Sequence, residues 1–304
     1  MSAVELKAED LKTILSYVVD LAREAGQLIL EGSVAIQSAS SESGVNEKKN
    51  SVDLVTEYDV RVEELVKKKL KSQYPTFQFI GEESYSAGSR SPLTNEPTFC
   101  VDPIDGTTNF VHGFPFVCIS LGLIYNKRPV LGVIFNPFLD HLYTGIKGHG
   151  SYLTRGINAK PVKLPLASPP KPLPSLSQAL IAVEWGSDRT LTTINAKGSS
   201  FMRLAGDPTQ GGGLDLYWEI GCWPWDVCAG IVIAEEAGGV VTGSHAAFSS
   251  STDEDFGVVT EEILTGRKYI VVRAIADTAE EQGSKAQRRI IKEFYETVED
   301  VDAN

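Results

Sequence analysis

The run Phe99-Cys100-Val101-Asp102-Pro103-Ile104-Asp105-Gly106-Thr107-Thr108-Asn109-Phe110 constrains this chain more than any other stretch. Its apolar start reads as a buried strand, and the strand ends on two carboxylates three residues apart, with a glycine and two threonines directly after them. Pro103 stiffens the turn between the acids and leaves the Ile104 carbonyl free as a further oxygen ligand, so Asp102 and Asp105 can converge on a hard cation. Gly106 lets an anion approach the backbone closely. A helix beginning at Thr107 would aim its unpaired amides at the same place. The stretch therefore predicts a metal and phosphate site. The plainer alternative is a strand, an Asp-Gly turn and a helix cap.

The rest of the composition narrows what such a site could serve. A net charge of -12 argues against nucleic acid as a partner, because its phosphates would be repelled, and a small anionic substrate would need a cation as mediator. Cys100, Cys118, Cys222 and Cys228 show no Cys-x-x-Cys spacing, which predicts reduced thiols in a cytoplasmic protein and no zinc site. The first residues are charged and periodic, and no apolar run approaches the length of a membrane span, so a soluble, unexported protein without a membrane partner is expected.

Along the chain, Leu11, Ile14, Leu15, Val18, Ala22, Ala25 and Ile29 recur at helical spacing, with Asp10 as cap and Gly32 as stop. Gln37 to Asn50 reads as a mobile polar loop. Val52 to Thr56 leads into a second helix with Asp59 in its first turn, Val62, Leu65, Val66 and Leu70 inside, and Glu63-Lys67 and Glu64-Lys68 pairs outside. Phe77 and Phe79 alternate into a strand that finishes on Glu82 and Glu83. From Phe116 to Leu153 alternating apolar runs broken by turn signals predict an antiparallel meander. A proline-rich connector at Leu164 to Pro174 then suggests a boundary near residue 165, giving subdomains 1–165 and 166–304. Gly221 to Gly230 enters a helix with Asp226 at its start. Ser244 to Glu254 reads as a disordered polar insertion, and a short amphipathic helix follows Lys285.

Four acidic elements are thus available: Asp59, Glu82 with Glu83, Asp102 with Asp105, and Asp226. Singly, each reads as a helix cap or a solvated acid. Together they resemble something more specific. Asp102-Pro103-Ile104-Asp105-Gly106-Thr107-Thr108-Asn109-Phe110-Val111-His112-Gly113-Phe114-Pro115 resembles the signature of the inositol monophosphatase family of magnesium-dependent, lithium-sensitive phosphatases. Val52-Asp53-Leu54-Val55-Thr56-x-x-Asp59, Gly81-Glu82-Glu83-Ser84 and Trp225-Asp226-x-x-Ala229-Gly230 resemble its other motifs in the same order.

That resemblance implies an α+β fold, a five-layered α-β-α-β-α sandwich with two mixed or antiparallel sheets as in fructose-bisphosphatases, and a homodimer. It implies an inositol-phosphate phosphatase that uses two or three Mg²⁺ ions. Glu82, Asp102, the Ile104 carbonyl, Asp105 and Asp226 would be metal ligands, and Glu82 and Thr107 would orient the attacking water, with Asp59 accepting a hydrogen bond from Thr107. Gly106, Thr107 and Lys48 would hold the phosphate, and Asp105, Ser187 and Glu219 the hydroxyls of a small phosphorylated polyol. One segment departs from the family. Between Thr190 and Asp215 relatives carry a longer stretch with a small-residue helix, whereas Pro208 and Gly211 to Gly213 oppose a helix here. A catalytically weak, metal- and phosphate-binding regulatory relative, or a phosphatase for another sugar phosphate, is therefore the alternative.

Overall fold

The structure is a computed structural model and describes residues 6–41, 51–185, 190–204 and 214–303. The chain forms two compact units, one of Met1–Leu164 with Trp225–Glu236, the other of Pro165–Pro224 with Ala237–Asn304.

In the first unit two long helices lead. Helix α1 (Ala8–Ser41) buries Ile14, Val18, Leu21, Ala22, Ala25 and Ile29 along one stripe, as the periodicity predicts. Two expectations fail here. Asp10 reaches back to the Lys7 amide (2.9 Å) from inside the helix instead of preceding it. Gly32 does not stop the helix, which runs on through positions expected in a loop. Its missing Cβ serves a close approach, since one would fall 2.7 Å from the Tyr58 ring. Helix α2 (Ser51–Gln73) starts earlier than expected, so Asp59 lies in its interior and not in its first turn. Asp59 and Glu63, each 3% exposed, share the buried stripe with Val62, Val66 and Leu70. Glu63 is therefore not the outward member of a surface pair.

Strand β1 (Gln78–Gly81) gives way directly to a one-turn helix α3 (Glu82–Ser86), so the two acids begin a helix and do not end a strand. Strand β2 (Thr98–Asp105) follows, then α4 (Thr107–Val111) and the expected meander of β3 (Cys118–Tyr125), β4 (Arg128–Asn136), β5 (His141–Ile146), β6 (Gly150–Arg155) and β7 (Val162–Lys163). These strands form one sheet in the order β1 to β7, parallel only between β1 and β2. Strand β2 is interior and buried on both faces, which explains its near-continuous apolar sequence.

The second unit has its own sheet, ordered β10-β11-β9-β8. Its elements are β8 (Leu180–Val183), α5 (Leu191–Leu204), β9 (Leu214–Ile220), β10 (Val240–Thr242), α7 (His245–Ser250), α8 (Glu261–Thr265), β11 (Lys268–Val272) and α9 (Gly283–Thr297), whereas α6 (Pro224–Glu236), between β9 and β10 in the chain, belongs to the first unit from Trp225 on. Strands β8 and β9 are parallel and the other pairs antiparallel, around a core of Leu216, Trp218, Ile270, Ile290 and Phe294. The chain is α+β, with two mixed sheets and flanking helices, as expected.

Two polar stretches fold where the sequence suggested no structure. Ser244 caps α7 by accepting from the Ala247 amide (3.2 Å), and Phe248 is buried against Phe256 and Tyr295, so this segment is no disordered insertion. Helix α5 takes in Asn195 to Leu204 despite the residues beyond that oppose a helix. Positions 205–213, with Pro208 and the glycines, lie outside the described residues.

Candidate active site

The acids of β2 are brought together by an irregularity. In a regular strand residues three apart point to opposite faces. Here Asp102 pairs with Ser120 and Asp105 with Cys118, so Pro103 and Ile104 together oppose the single residue Ile119. That is a β-bulge, and its extra residue resets the alternation so that both carboxylates fall on one side. Proline suits the position because it has no amide to contribute to the ladder. The expected stiff turn is thus a bulge inside the strand. Asp102 also accepts from the Ile104 amide (3.1 Å), which fixes its side chain.

Asp226 arrives on α6, which lies against the sheet along a row of glycines. Gly122, Gly132 and Gly145 are cross-strand neighbours on β3, β4 and β5. A Cβ at Gly122 would fall 2.4 Å from Cys228 Sγ, and one at Gly132 2.3 Å from the Ala229 carbonyl oxygen. The row is a groove cut for the helix. The Ser120 hydroxyl donates to the Trp225 carbonyl (3.1 Å) beside Asp226, and Glu236 accepts from the Gly148 and Gly150 amides (2.7 and 2.6 Å) at the far end. Glu82 comes from α3, whose Tyr85 ring lies 5.0 Å from that of Trp225.

Asp102 lies close enough to Glu82 and Asp226 for the three carboxyl groups to act on one another. Burial first, then the repulsion of the neighbouring acids, keeps Glu82 and Asp102 protonated well above the usual carboxylate range. Glu82 rises to about 7, with Asp226 as its main opposing charge, and Asp105 to about 6, again against Asp226. Asp102 is raised well above its ordinary value by burial and by Asp105, Glu82 and Asp226. Asp59 joins from α2, raised to about 8 by burial and by Glu83 and Glu82, and its Oδ2 is buried without a hydrogen-bond partner. A buried polar atom left unpaired, beside acids whose principal neighbouring charges are negative, is a site short of positive charge. The all-oxygen donor set fits Mg²⁺ in kind. No three such side chains among the described residues form a finished metal cage, so the fit is one of chemistry and charge.

After β2 the chain turns through Gly106, whose φ of 92° demands glycine, and a Cβ there would meet the Phe116 carbonyl oxygen at 2.9 Å. Helix α4 then begins at Thr107 as expected, but its groups have other partners than the resemblance implies. The Thr107 hydroxyl donates to the Ile104 carbonyl oxygen (3.3 Å) and not to Asp59. The Gly106 backbone hydrogen bonds to Asp105 and holds that carboxyl down somewhat.

Glu219 belongs to the second unit. It is buried on β9 near Glu184, Lys197 and Tyr217, and burial plus Glu184 raise it to about 7 against the opposing pull of Lys197. Lys197, itself buried, donates to the Trp185 carbonyl (2.9 Å). Lys48 and Ser187 lie outside the described residues. The bulge, the glycine row, Glu63 and Lys197 are the features that sequence reasoning missed. The spacing of three between Asp102 and Asp105 signalled the bulge, and the in-register glycines of the meander signalled the groove.

The chain is similar to known proteins over nearly its whole length. The inositol monophosphatase family model matches residues 10–299. Protein qutG of Emericella nidulans is 37% identical over 96% of this chain and 95% of its own length. Inositol monophosphatase 1 of Saccharomyces cerevisiae is 36% identical over 95% of this chain and 97% of its own. Those alignments extend over 324 and 312 positions, more than the 304 residues here, so both relatives carry residues that this chain lacks. Among solved structures, inositol monophosphatase from Anabaena (Nostoc) sp. PCC 7120 shares the fold with a TM-score of 0.62 at 24% identity, covering 93% of this chain and 97% of that one. This chain belongs to the inositol monophosphatase family.

Proposed function

We propose that this protein is a Mg²⁺-dependent phosphomonoesterase that hydrolyses inositol monophosphates to inositol and phosphate, acting as a cytoplasmic homodimer. The observation that carries the reading is the meeting of Glu82, Asp102 and Asp226, with Asp105 and the unpartnered Asp59 beside them, in a member of a phosphatase family. Glu82, Asp102, the Ile104 carbonyl, Asp105 and Asp226 would hold two or three ions. When bound, Mg²⁺ supplies the positive charge that offsets both carboxylates and phosphate oxygens, and it acidifies water.

The residues then have separate tasks. Glu82 and Thr107 orient a water in line with the phosphorus-oxygen bond that breaks, Asp59 stands near Glu82 with an acceptor oxygen that has no partner, and the proton that the water loses passes to solvent. The water oxygen bonds to phosphorus, the inositol oxygen leaves with the bonding pair, and it gains a proton from solvent, so no covalent enzyme intermediate is needed. The α4 amide of Thr107, and Lys48, complete the phosphate contacts. Asp105, Ser187 and Glu219 are assigned to the hydroxyls of the alcohol.

Phosphate release over a panel of substrates tests this reading. Inositol monophosphates should be hydrolysed fastest, and millimolar Li⁺ should inhibit. The panel includes phosphates of other cyclic polyols, because qutG is not named for an inositol phosphate. Equal rates on unrelated sugar phosphates, or indifference to Li⁺, would remove the inositol assignment. A second reading, a weak enzyme that mainly binds metal and phosphate, is favoured by the residues that relatives carry and this chain lacks. Phosphate binding without release would support it.

A further inference from the structure

We infer that Glu63 is a positioning residue that sets Glu82 in place, by capping from α2 the short helix that Glu82 begins. Helix α3 cannot cap itself, since its N-cap residue is Gly81, which has no side chain to accept from the first amides. Glu63 fills the role from twenty residues away. Its Oε2 accepts from the Glu83 amide (2.8 Å), its Oε1 from the Ser84 amide (2.8 Å), and Oε1 also accepts from the Ser84 hydroxyl. A carboxylate in this position satisfies two amides that a helix start leaves open and complements its dipole.

The surroundings are shaped for that one side chain. A Cβ on Gly81 would fall 2.4 Å from Glu63 Oε2 and 2.6 Å from its carboxyl carbon. Gly81 has an extended backbone (φ -132°), so glycine is needed there for space and not for conformation. Lys67, one turn along α2, donates to the Ser84 hydroxyl (2.8 Å) and lies over the Phe79 ring, which places a positive charge beside the buried carboxylate. Asp59 is one turn in the other direction and faces Glu82 and Glu83. A single stretch of α2 thus carries both the acid that faces Glu82 and the acid that fixes the backbone of α3.

The inference rests on the proposed role of Glu82 at the metal site. It is tested on the full chain by calorimetric titration with Mg²⁺ alone, alongside kcat, KM and melting temperature. Glu63→Gln keeps the shape but sets an amide NH₂ against an N–H donor. It should weaken Mg²⁺ binding and lower kcat by about 10- to 100-fold, the scale seen when an outer partner of a metal ligand is lost, while KM changes much less. Gly81→Ala, which displaces the Glu63 carboxylate without changing any charge, should act in the same direction and serves if Glu63→Gln does not fold. Ser84→Ala removes one donor of three and should stay within a few-fold of the parent. Folded Glu63→Gln or Gly81→Ala protein that binds Mg²⁺ as tightly as the parent, while Glu82→Gln does not, would overturn the role of Glu63 alone. Tight Mg²⁺ binding by Glu82→Gln itself would overturn the metal reading and this inference with it.

Discussion

Asp102→Asn should abolish catalysis and leave the metal-free protein at least as stable as before. The side chain is 3% exposed, close to Glu82 and Asp226, and raised well above the ordinary aspartate range by burial and by Asp105, Glu82 and Asp226. Asparagine retains an oxygen for the Ile104 amide, which Asp102 holds at 3.1 Å, and its NH₂ can donate to Glu82 or Asp226. What disappears is a buried anion that this fold tolerates only when neutralised. We expect kcat to fall by ~10²–10³-fold or more, the scale on which one preorganised electrostatic group acts. The melting temperature in EDTA at pH 8 should hold or rise. Asp226→Asn should behave alike, since Asp226 is the leading charge acting on both Glu82 and Asp105. A large fall in melting temperature, with activity retained per folded molecule, would show that these acids serve structure instead.

The second large effect is on stability as a function of pH. Asp105, Glu82 and Asp59 titrate at about 6, 7 and 8 in the folded chain, against 3.8, 4.5 and 3.8 as ordinary values. Between those limits the folded state holds protons that the unfolded state has released, so stability falls as pH rises. The contribution is fully present below about pH 4 and is lost as pH climbs through the folded values of 6 to 8. Glu219, raised to about 7, adds the same sign in the second unit. Metal-free protein should therefore melt ~5 °C or more lower at pH 8.5 than at pH 5.5, after allowance for solvent near the less buried groups. Mg²⁺ at 100 times its Kd should restore about 2.7 kcal/mol, and the gain should be largest at the alkaline end, where the ligands are already ionised. A melting temperature that climbs steadily from pH 5.5 to 8.5 in EDTA would contradict the picture of a site short of positive charge.

Much of this was legible because periodicity and motif order are local properties. The stripes of α1 and α2, the meander, and Asp226 at the start of α6 follow from spacing alone. Less legible were features created by what lies opposite. Asp59 and Glu63 looked like a helix start and a surface acid, because their burial is decided by α3 packing onto α2. Gly122 and Gly132 looked like ordinary strand residues until α6 was laid across them. Gly32 looked like a helix stop, whereas the Tyr58 ring occupies the space its side chain would need. Ser244 and Phe248 show that a polar run can still fold when one cap and one aromatic residue find partners. On the alcohol-binding side, Ser187 is outside the described residues, and the charge of Glu219 is set within its own unit by burial, Glu184 and Lys197.

Under the proposed function this cluster of acids works only with a divalent cation. Phosphate release from an inositol monophosphate, measured as the full-length chain is titrated from excess EDTA into excess Mg²⁺, tests it most directly. Release should be absent in EDTA, rise with Mg²⁺ and disappear again when the chelator is restored. Turnover that is unchanged in excess EDTA would contradict the account.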